Sequence, residues 1–547
     1  MKKLSAIINI LICSSLLTAC GGGSSTQGDG SGQMYTAALL NNPKSLDPQY
    51  ADDESSNTVI ANLYSGLMSK DSSGNVVCCN AESYTMSSDG LTYTFNLKDN
   101  NYWFSDLNDN DKVDVNEYFS VVADDYVFAF QRILDPEMQS PYSESFSCIK
   151  GGQDAINGAI DVNSIGVSAP DDHTVIIELE YPSADFINLL ATNAAMPCNE
   201  EFFLSTKGRY GLDDKSVMSN GAFFVRQWFY DAYGNNNILY MKKNSANSSN
   251  ESKIYPSFLS FTIEKSQSNI EALLKDDKID CITSTTKGSY SKRKFYSESS
   301  RSITLGLIFN PNDAVYSNSD IHKAIAYSID RAGLQEELDD DVQAAYGIIP
   351  PAVTLLGRSY RELSSDKLFD FYNETASLSC LESAKTALNI ESFDTVKILV
   401  STDNIDSGYL HLLSQQWQEL FGYYIGVEEV TDDEFKSRIT SGDYQIALYP
   451  LKGEYNSGVS VLEQLSECGH VQLSDEATSD IMALKACPNA SEFADRFSST
   501  EQKILNEFNF IPLFYKNSYL IMKKGNQDII YDSFSGAVDY RIAKNFD

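Results

Sequence analysis

The spacing of apolar and polar positions divides the chain into short strands and amphipathic helices. Leu4 to Ala19 is mostly apolar, yet shorter than the about 20 residues of a comfortable membrane span. Met34–Leu40 reads as a short buried strand, and Asn41–Pro48 follows with prolines at 43 and 48 that force an extended or turning path. From Val59 to Leu67 the apolar positions Val59, Ile60, Leu63, Tyr64 and Leu67 fall on one helical face. Ser88-Asp89-Gly90 marks a turn into Thr92–Lys98, where Tyr93, Phe95 and Leu97 alternate to one side, the pattern of a half-buried strand. Val127, Phe130 and Leu134 form the stripe of a further helix, with Asp124 as its N-cap candidate and Pro136 as its stop. A hairpin at Ala169–Thr174 leads into a strand that alternates Val175, Ile177 and Leu179.

The first apolar run has the layout of a secretory signal: Lys2 and Lys3, then the apolar stretch, then Thr18-Ala19 before a cysteine. Leu17-Thr18-Ala19-Cys20 resembles a bacterial lipobox, which implies cleavage before Cys20 and acylation of its thiol. An ordinary signal with an incidental cysteine is the alternative. Gly21–Gln33 has nothing to bury and predicts a flexible tether with a root-mean-square reach of roughly 20 Å. Two or three acyl chains suffice for stable anchoring, so the expected location is lipid-anchored on the extracellular or periplasmic face of the membrane.

Length and charge narrow the function classes. At 547 residues two to four domains are expected. A formal net charge of −35 repels phosphate backbones and argues against a nucleic-acid partner. Cys13 leaves with the signal, and eight cysteines follow Cys20; an even number permits disulfides, buried thiols remain equally open, and no C-x-x-C pair is present. The four histidines are scattered, against a zinc centre. Gly-x-Ser-x-Gly and His-Glu-x-x-His are missing, and among 76 acidic residues chance carboxylate pairs are unavoidable, so nothing points to an enzyme.

A series of motifs then carries a resemblance. Pro43-Lys-Ser-Leu-Asp-Pro48, Asn62-Leu-Tyr-Ser-Gly-Leu67, Ser88-Asp-Gly-Leu-Thr-Tyr-Thr-Phe-Asn-Leu97, Trp103-Phe-Ser-Asp106 and Ala123–Pro136 occur in this order. Ser219-Asn-Gly-Ala-Phe223, Ala324–Arg331, Ile349-Pro-Pro351, Leu420-Phe-Gly422 and Phe510-Ile-Pro-Leu513 follow. Together the chain resembles the oligopeptide- and dipeptide-binding solute-binding proteins of ABC transporters. The resemblance implies an α/β, two-lobed hinged periplasmic-binding-protein-like fold with an extra subdomain in the first lobe. After the signal (1–19) and linker (20–33), the implied divisions are first lobe 34–70, subdomain 71–186, first lobe 187–302, second lobe 303–509 and first lobe 510–547. It implies a monomeric binder rather than an enzyme, with a peptide ligand, no required cofactor, permease subunits as partners and the membrane reached through the lipid. The alternatives are a lipoprotein of the same fold that binds another solute or senses a signalling peptide and, further off, a secreted hydrolase.

In that family an acidic-Tyr-Asn motif in the second lobe pairs with the amino group of the peptide, and Glu454-Tyr455-Asn456 matches it. The same resemblance offers Asp52, Asp53, Tyr142, Ser284 and Thr285 as further liners. Leu448 and Leu451 stand where the family usually has arginine and tryptophan. His322-Lys323 replaces the usual valine and arginine.

One insertion departs from the family. Numbered from Asp106, oxygen ligands fall at places 1, 3, 5, 9 and 12: Asp106, Asn108, Asn110, Asp114 and Glu117, with the Lys112 carbonyl at place 7. This is EF-hand spacing for a structural Ca2+. The sixth place is Asp111 where the tight turn prefers glycine, and a solvated acidic loop is the competing reading.

Overall fold

The computed structural model describes residues 33–545 except 107, 109, 111, 184, 235, 248–253, 356–357, 365–367 and 488–489. The signal, Cys20 and most of the linker lie outside the described residues.

Two long antiparallel strands, Phe295–Phe309 and Phe510–Lys523, organise the molecule. At one end Cys281–Ser284 joins the edge of this ribbon. At the other Ile446–Leu451 pairs with Phe295–Phe309, followed by the parallel strands Val396–Ser401 and Ile425–Val430. The register shifts between Ser300 and Ile303, where the ribbon passes from one lobe to the other. Its residues divide between cores accordingly: Leu305, Leu307, Phe510, Ile511 and Leu513 enter the second-lobe core, while Leu520 and Met522 enter the first. The crossing therefore sits inside both strands rather than at their ends.

The first lobe carries a four-stranded sheet in which Met34–Leu39 runs parallel to Phe258–Ile263, followed by Ile238–Lys243 and Phe223–Phe229. A separate antiparallel sheet of Ala81–Met86, Thr92–Leu97, Thr174–Glu178 and Val167–Asp171 packs on the helix Ala123–Leu134. Tyr93, Phe95 and Leu97 are buried as their alternation predicts.

Two helices differ from the sequence expectation. The one expected at Val59–Leu67 spans Glu54–Leu63, because the Asp53 carboxylate accepts from the Ser56 N–H and starts it earlier. Tyr64 is already extended, so Tyr64 and Leu67 reach the core from outside the helix. The Ala123–Leu134 helix is capped at Val122 rather than Asp124: Asp125, three positions on, accepts from the Val122 N–H at 2.9 Å. Asp125 also accepts from Trp103 Nε1 at 2.8 Å, which buries it while Asp124 stays exposed. Val127 is only half-buried, and Tyr126 and Ile133 join Phe130 and Leu134 inside.

Several buried polar groups are anchored by specific contacts. Arg132 forks onto Asp47 at 2.5 and 3.1 Å, reaches Gln49 Oε1 at 2.6 Å and lies 4.1 Å over the Phe203 ring. His322 is buried against Phe309 with ring centroids 3.9 Å apart, and desolvation lowers its pKa; Lys323 pairs with Asp320 at 3.4 Å. All eight described cysteines are free thiols.

Candidate ligand-binding site

Between the lobes lies a cavity of about 480 Å³, inside the range of about 300–1,000 Å³ usual for small-ligand sites. Stretches far apart in sequence wall it. The start of the helix Glu54–Leu63 and the segment Leu189–Met196 form one side, and Ile530–Arg541 forms the floor. Tyr142 and Phe146 reach in from the subdomain, and Lys452, Glu454 and Tyr455 from the second lobe. The C-terminal stretch is fixed by Asn62, a fully buried side chain that donates to Val538 O at 2.8 Å and accepts from Tyr540 N at 2.9 Å.

The strand Ile446–Leu451 delivers the second-lobe residues. Beyond it the chain passes Gly453 and enters the helix Gly458–Glu467. A Cβ at Gly453 would come within 3.1 Å of Tyr455 O and the Val461 side chain, so glycine lets this segment lie close on the helix that follows. Glu454 is held from both lobes: Ser145 Oγ donates to Oε2 at 2.5 Å and Gln464 Nε2 to Oε1 at 3.2 Å. Burial raises the pKa of its carboxyl, with Ser145 opposing. None of the ion pairs among the described residues includes Glu454; Lys485, paired with Glu463, acts on it only at longer range.

Of the residues expected from sequence, Asp52, Tyr142, Glu454 and Tyr455 meet at this cavity. The Tyr142 hydroxyl donates to Ala51 O. Asp53 caps a helix beside it. Asn456 faces a neighbouring cleft and accepts from Thr354 N at 2.9 Å. Ser284 ends an edge strand, with Thr285 just beyond, and neither lines the cavity. Sequence reasoning passed over Glu54, Lys452 and two ion pairs of the wall, Lys70–Asp532 at 2.7 Å and Arg541–Asp539 at 2.6 Å. The available signal for Lys452 was its place two residues before Glu454.

In the inserted loop, Asn108 and Asn110 turn their amide nitrogens onto Asp114 Oδ2 at 3.2 and 2.7 Å. The Asn110 N–H meets Asp106 and Asn108, the Lys112 N–H meets Asn110, and the Asn108 N–H meets Glu117. Among the described residues no group of three His, Cys, Asp or Glu side chains could hold a metal ion.

A seam beside the cavity closes the lobes on each other. Ser145, Cys148, Tyr181 and Asp185 of the subdomain face Tyr455, Glu463 and Lys485 of the second lobe, and Tyr455 is buried in the first-lobe core. Burial pushes the Glu463 carboxyl up to about 7 despite its contact with Lys485, and Glu467 and Glu454 push the same way. Burial also raises Asp185, against hydrogen bonding from Ser457, Asn188 and Tyr455. Acids whose pKa rises on closure take up protons, so the closed form is favoured at low pH and loses stability as pH rises through the window from about 4.5 to about 7. Small-angle scattering of ligand-free protein should give a larger radius of gyration at pH 8 than at pH 5.5. Glu463→Gln should remove most of that difference; an unchanged radius in the wild type contradicts it.

Residues 75–472 match the family model described as bacterial extracellular solute-binding proteins, family 5 middle. The oligopeptide-binding protein OppA of Bacillus subtilis is 24% identical over 491 residues, 85% of this chain and 84% of its own. The dipeptide-binding protein DppE of the same organism is 22% identical over 90% of this chain and 88% of its own. Among solved structures, the pheromone receptor PrgZ matches with a TM-score of 0.74 at 22% identity, over 94% of this chain and 99% of that one. Listeria monocytogenes OppA bound to peptide matches with a TM-score of 0.71 at 20% identity, over the same shares. These structural matches establish the two-lobed α/β fold. No helix among the described residues is long and apolar enough to cross a membrane.

Proposed function

Because the chain belongs to the bacterial extracellular solute-binding proteins of family 5, we propose that it captures short peptides between its lobes and delivers them to an ABC transporter permease. In this reading Cys20 carries the lipid that keeps the protein at the membrane. The observation that carries the peptide assignment is Glu454, a half-buried carboxylate at the lobe seam, open to the cavity and with no protein cation paired to it among the described residues. A buried charge needs a partner, and the free ammonium of a peptide supplies one that leaves and returns. Tyr142 and Tyr455 close the walls around it. Backbone pairing along an extended ligand is tolerant of sequence, which suits a general importer.

Native mass spectrometry of protein purified without denaturant tests the assignment. Peptides a few residues long should come off the wild type. A ligand-free mass that stays unchanged in a peptide mixture, while a sugar or another solute class binds, overturns it.

A further inference from the structure

We propose that Ser145 is a positioning residue that completes the ammonium seat at Glu454 only when the two lobes come together. This deepens the peptide reading and rests on it. Glu454 is gripped in two different ways. Gln464 lies on the helix Gly458–Glu467 of Glu454's own lobe and donates to Oε1 at 3.2 Å. The Glu454 N–H donates to Ser460 Oγ on the same helix at 2.9 Å. Both contacts travel with the second lobe and are indifferent to closure. The other carboxylate oxygen, Oε2, is met from across the seam, where Ser145 Oγ of the subdomain donates to it at 2.5 Å.

On its own side that hydroxyl is held firmly. Ser145 is the middle residue of the short turn Glu144–Phe146. Phe146, the next side chain, is fully buried in the first-lobe core, its ring centroid 5.7 Å from that of Phe130. Ser147 Oγ ties the turn by donating to Glu144 O at 2.7 Å. A hinge motion that parts the lobes therefore pulls the two ends of the Ser145–Glu454 contact apart. Among the described residues the neighbouring groups do not serve in its place. Lys485 is committed to Glu463, Glu463 and Glu467 carry the same sign as Glu454, and the Tyr142 hydroxyl donates to Ala51 O. Burial works against the charged form of Glu454 and the Ser145 hydrogen bond opposes it. A carboxylate with one donor on each oxygen is fixed in orientation and keeps lone pairs for an ammonium. A peptide enters while the lobes are apart, so Ser145 acts on how long the ligand stays rather than on how fast it arrives.

Stopped-flow and calorimetric titration with Ala-Ala-Ala at pH 7 test the proposal. Ser145→Ala should leave the association rate within about threefold of wild type. Its dissociation rate should rise roughly 10- to 100-fold, the factor for one hydrogen bond to a charged group. Ser145→Thr keeps the hydroxyl and should recover most of the loss. In a Glu454→Gln background the effect of Ser145→Ala should shrink to a few-fold, because the charge through which Ser145 acts is gone. An unchanged dissociation rate in Ser145→Ala, or a loss equally large in the Glu454→Gln background, overturns the assignment of Ser145 and leaves the peptide reading standing. Failure of Ala-Ala-Ala and of a mixture of longer peptides to bind the wild type overturns the peptide reading and this assignment with it.

Discussion

Glu454→Gln should weaken peptide binding by about 2–5 kcal/mol, roughly 30- to several-thousand-fold in Kd, the usual cost of removing one partner of a buried hydrogen-bonded charge pair. Glutamine keeps the size of the side chain and can still meet Ser145 and Gln464, so the loss isolates the charge. The same substitution should leave the ligand-free protein as stable as wild type or more so, because burial disfavours the Glu454 carboxylate in the empty site. Loss of binding without loss of stability separates a ligand contact from a structural one. For wild type the sign with pH follows: the ligand ammonium favours ionised Glu454, so affinity should fall as pH drops through its raised pKa. A Kd within about twofold of wild type in calorimetric titration would exclude Glu454 as the ammonium seat.

The largest expected effect on stability is at Glu501. Its carboxylate is fully buried and accepts from Ile348 N at 2.8 Å, Ile349 N at 3.0 Å, the Tyr360 hydroxyl at 2.7 Å and Arg361 Nη2 at 2.6 Å. This one side chain ties the helix Ala490–Glu507 to the turn before Pro350-Pro351 and to Tyr360. Glu501→Leu strands a buried guanidinium and leaves two backbone N–H groups without acceptors. A loss of about 3–5 kcal/mol is expected, read as a fall of the order of 1–2 M in the urea midpoint of the second lobe. Trp417, buried in that core, provides the fluorescence signal. The pair Arg361→Leu with Glu501→Leu should recover part of the loss, since the uncompensated cation is gone. A shift below about 1 kcal/mol in the single variant would mean that the network contributes little.

These networks also show what the sequence motifs encode. Asp47 and Arg132 belong to two of the motifs that carried the family resemblance, and they meet as one buried ion pair. Trp103, from a third, shares a hydrogen bond with Asp125 of the same motif as Arg132. Arg331, from another, holds the carbonyls of Ala345 and Pro512 at 2.8 and 2.7 Å. The motifs are therefore largely anchors of the scaffold, which is why they made the fold legible. Strand alternation was equally readable, because Tyr93, Phe95 and Leu97 need only a local period of two.

The cavity was less legible for a physical reason. Its walls come from several stretches joined only by tertiary packing, and the Ile530–Arg541 floor depends on Asn62, far away in sequence. The hinge was hidden in a similar way: Phe510–Lys523 is buried along almost its whole length, so its pattern does not reveal that its two halves serve different cores. The helix at Glu54 was read late because its first turn is polar: Ser55, Ser56 and Asn57 are buried there and Asp53 caps it. Period alone cannot show a helix whose buried face begins with hydroxyls and amides.

The most direct test is a crystal structure of the protein with a bound tripeptide. The account predicts the ligand enclosed between the lobes, with its terminal nitrogen within about 3 Å of a Glu454 carboxylate oxygen. A tripeptide bound with its amino group in solvent or on another acid, and Glu454 still facing only Ser145 and Gln464, would contradict it.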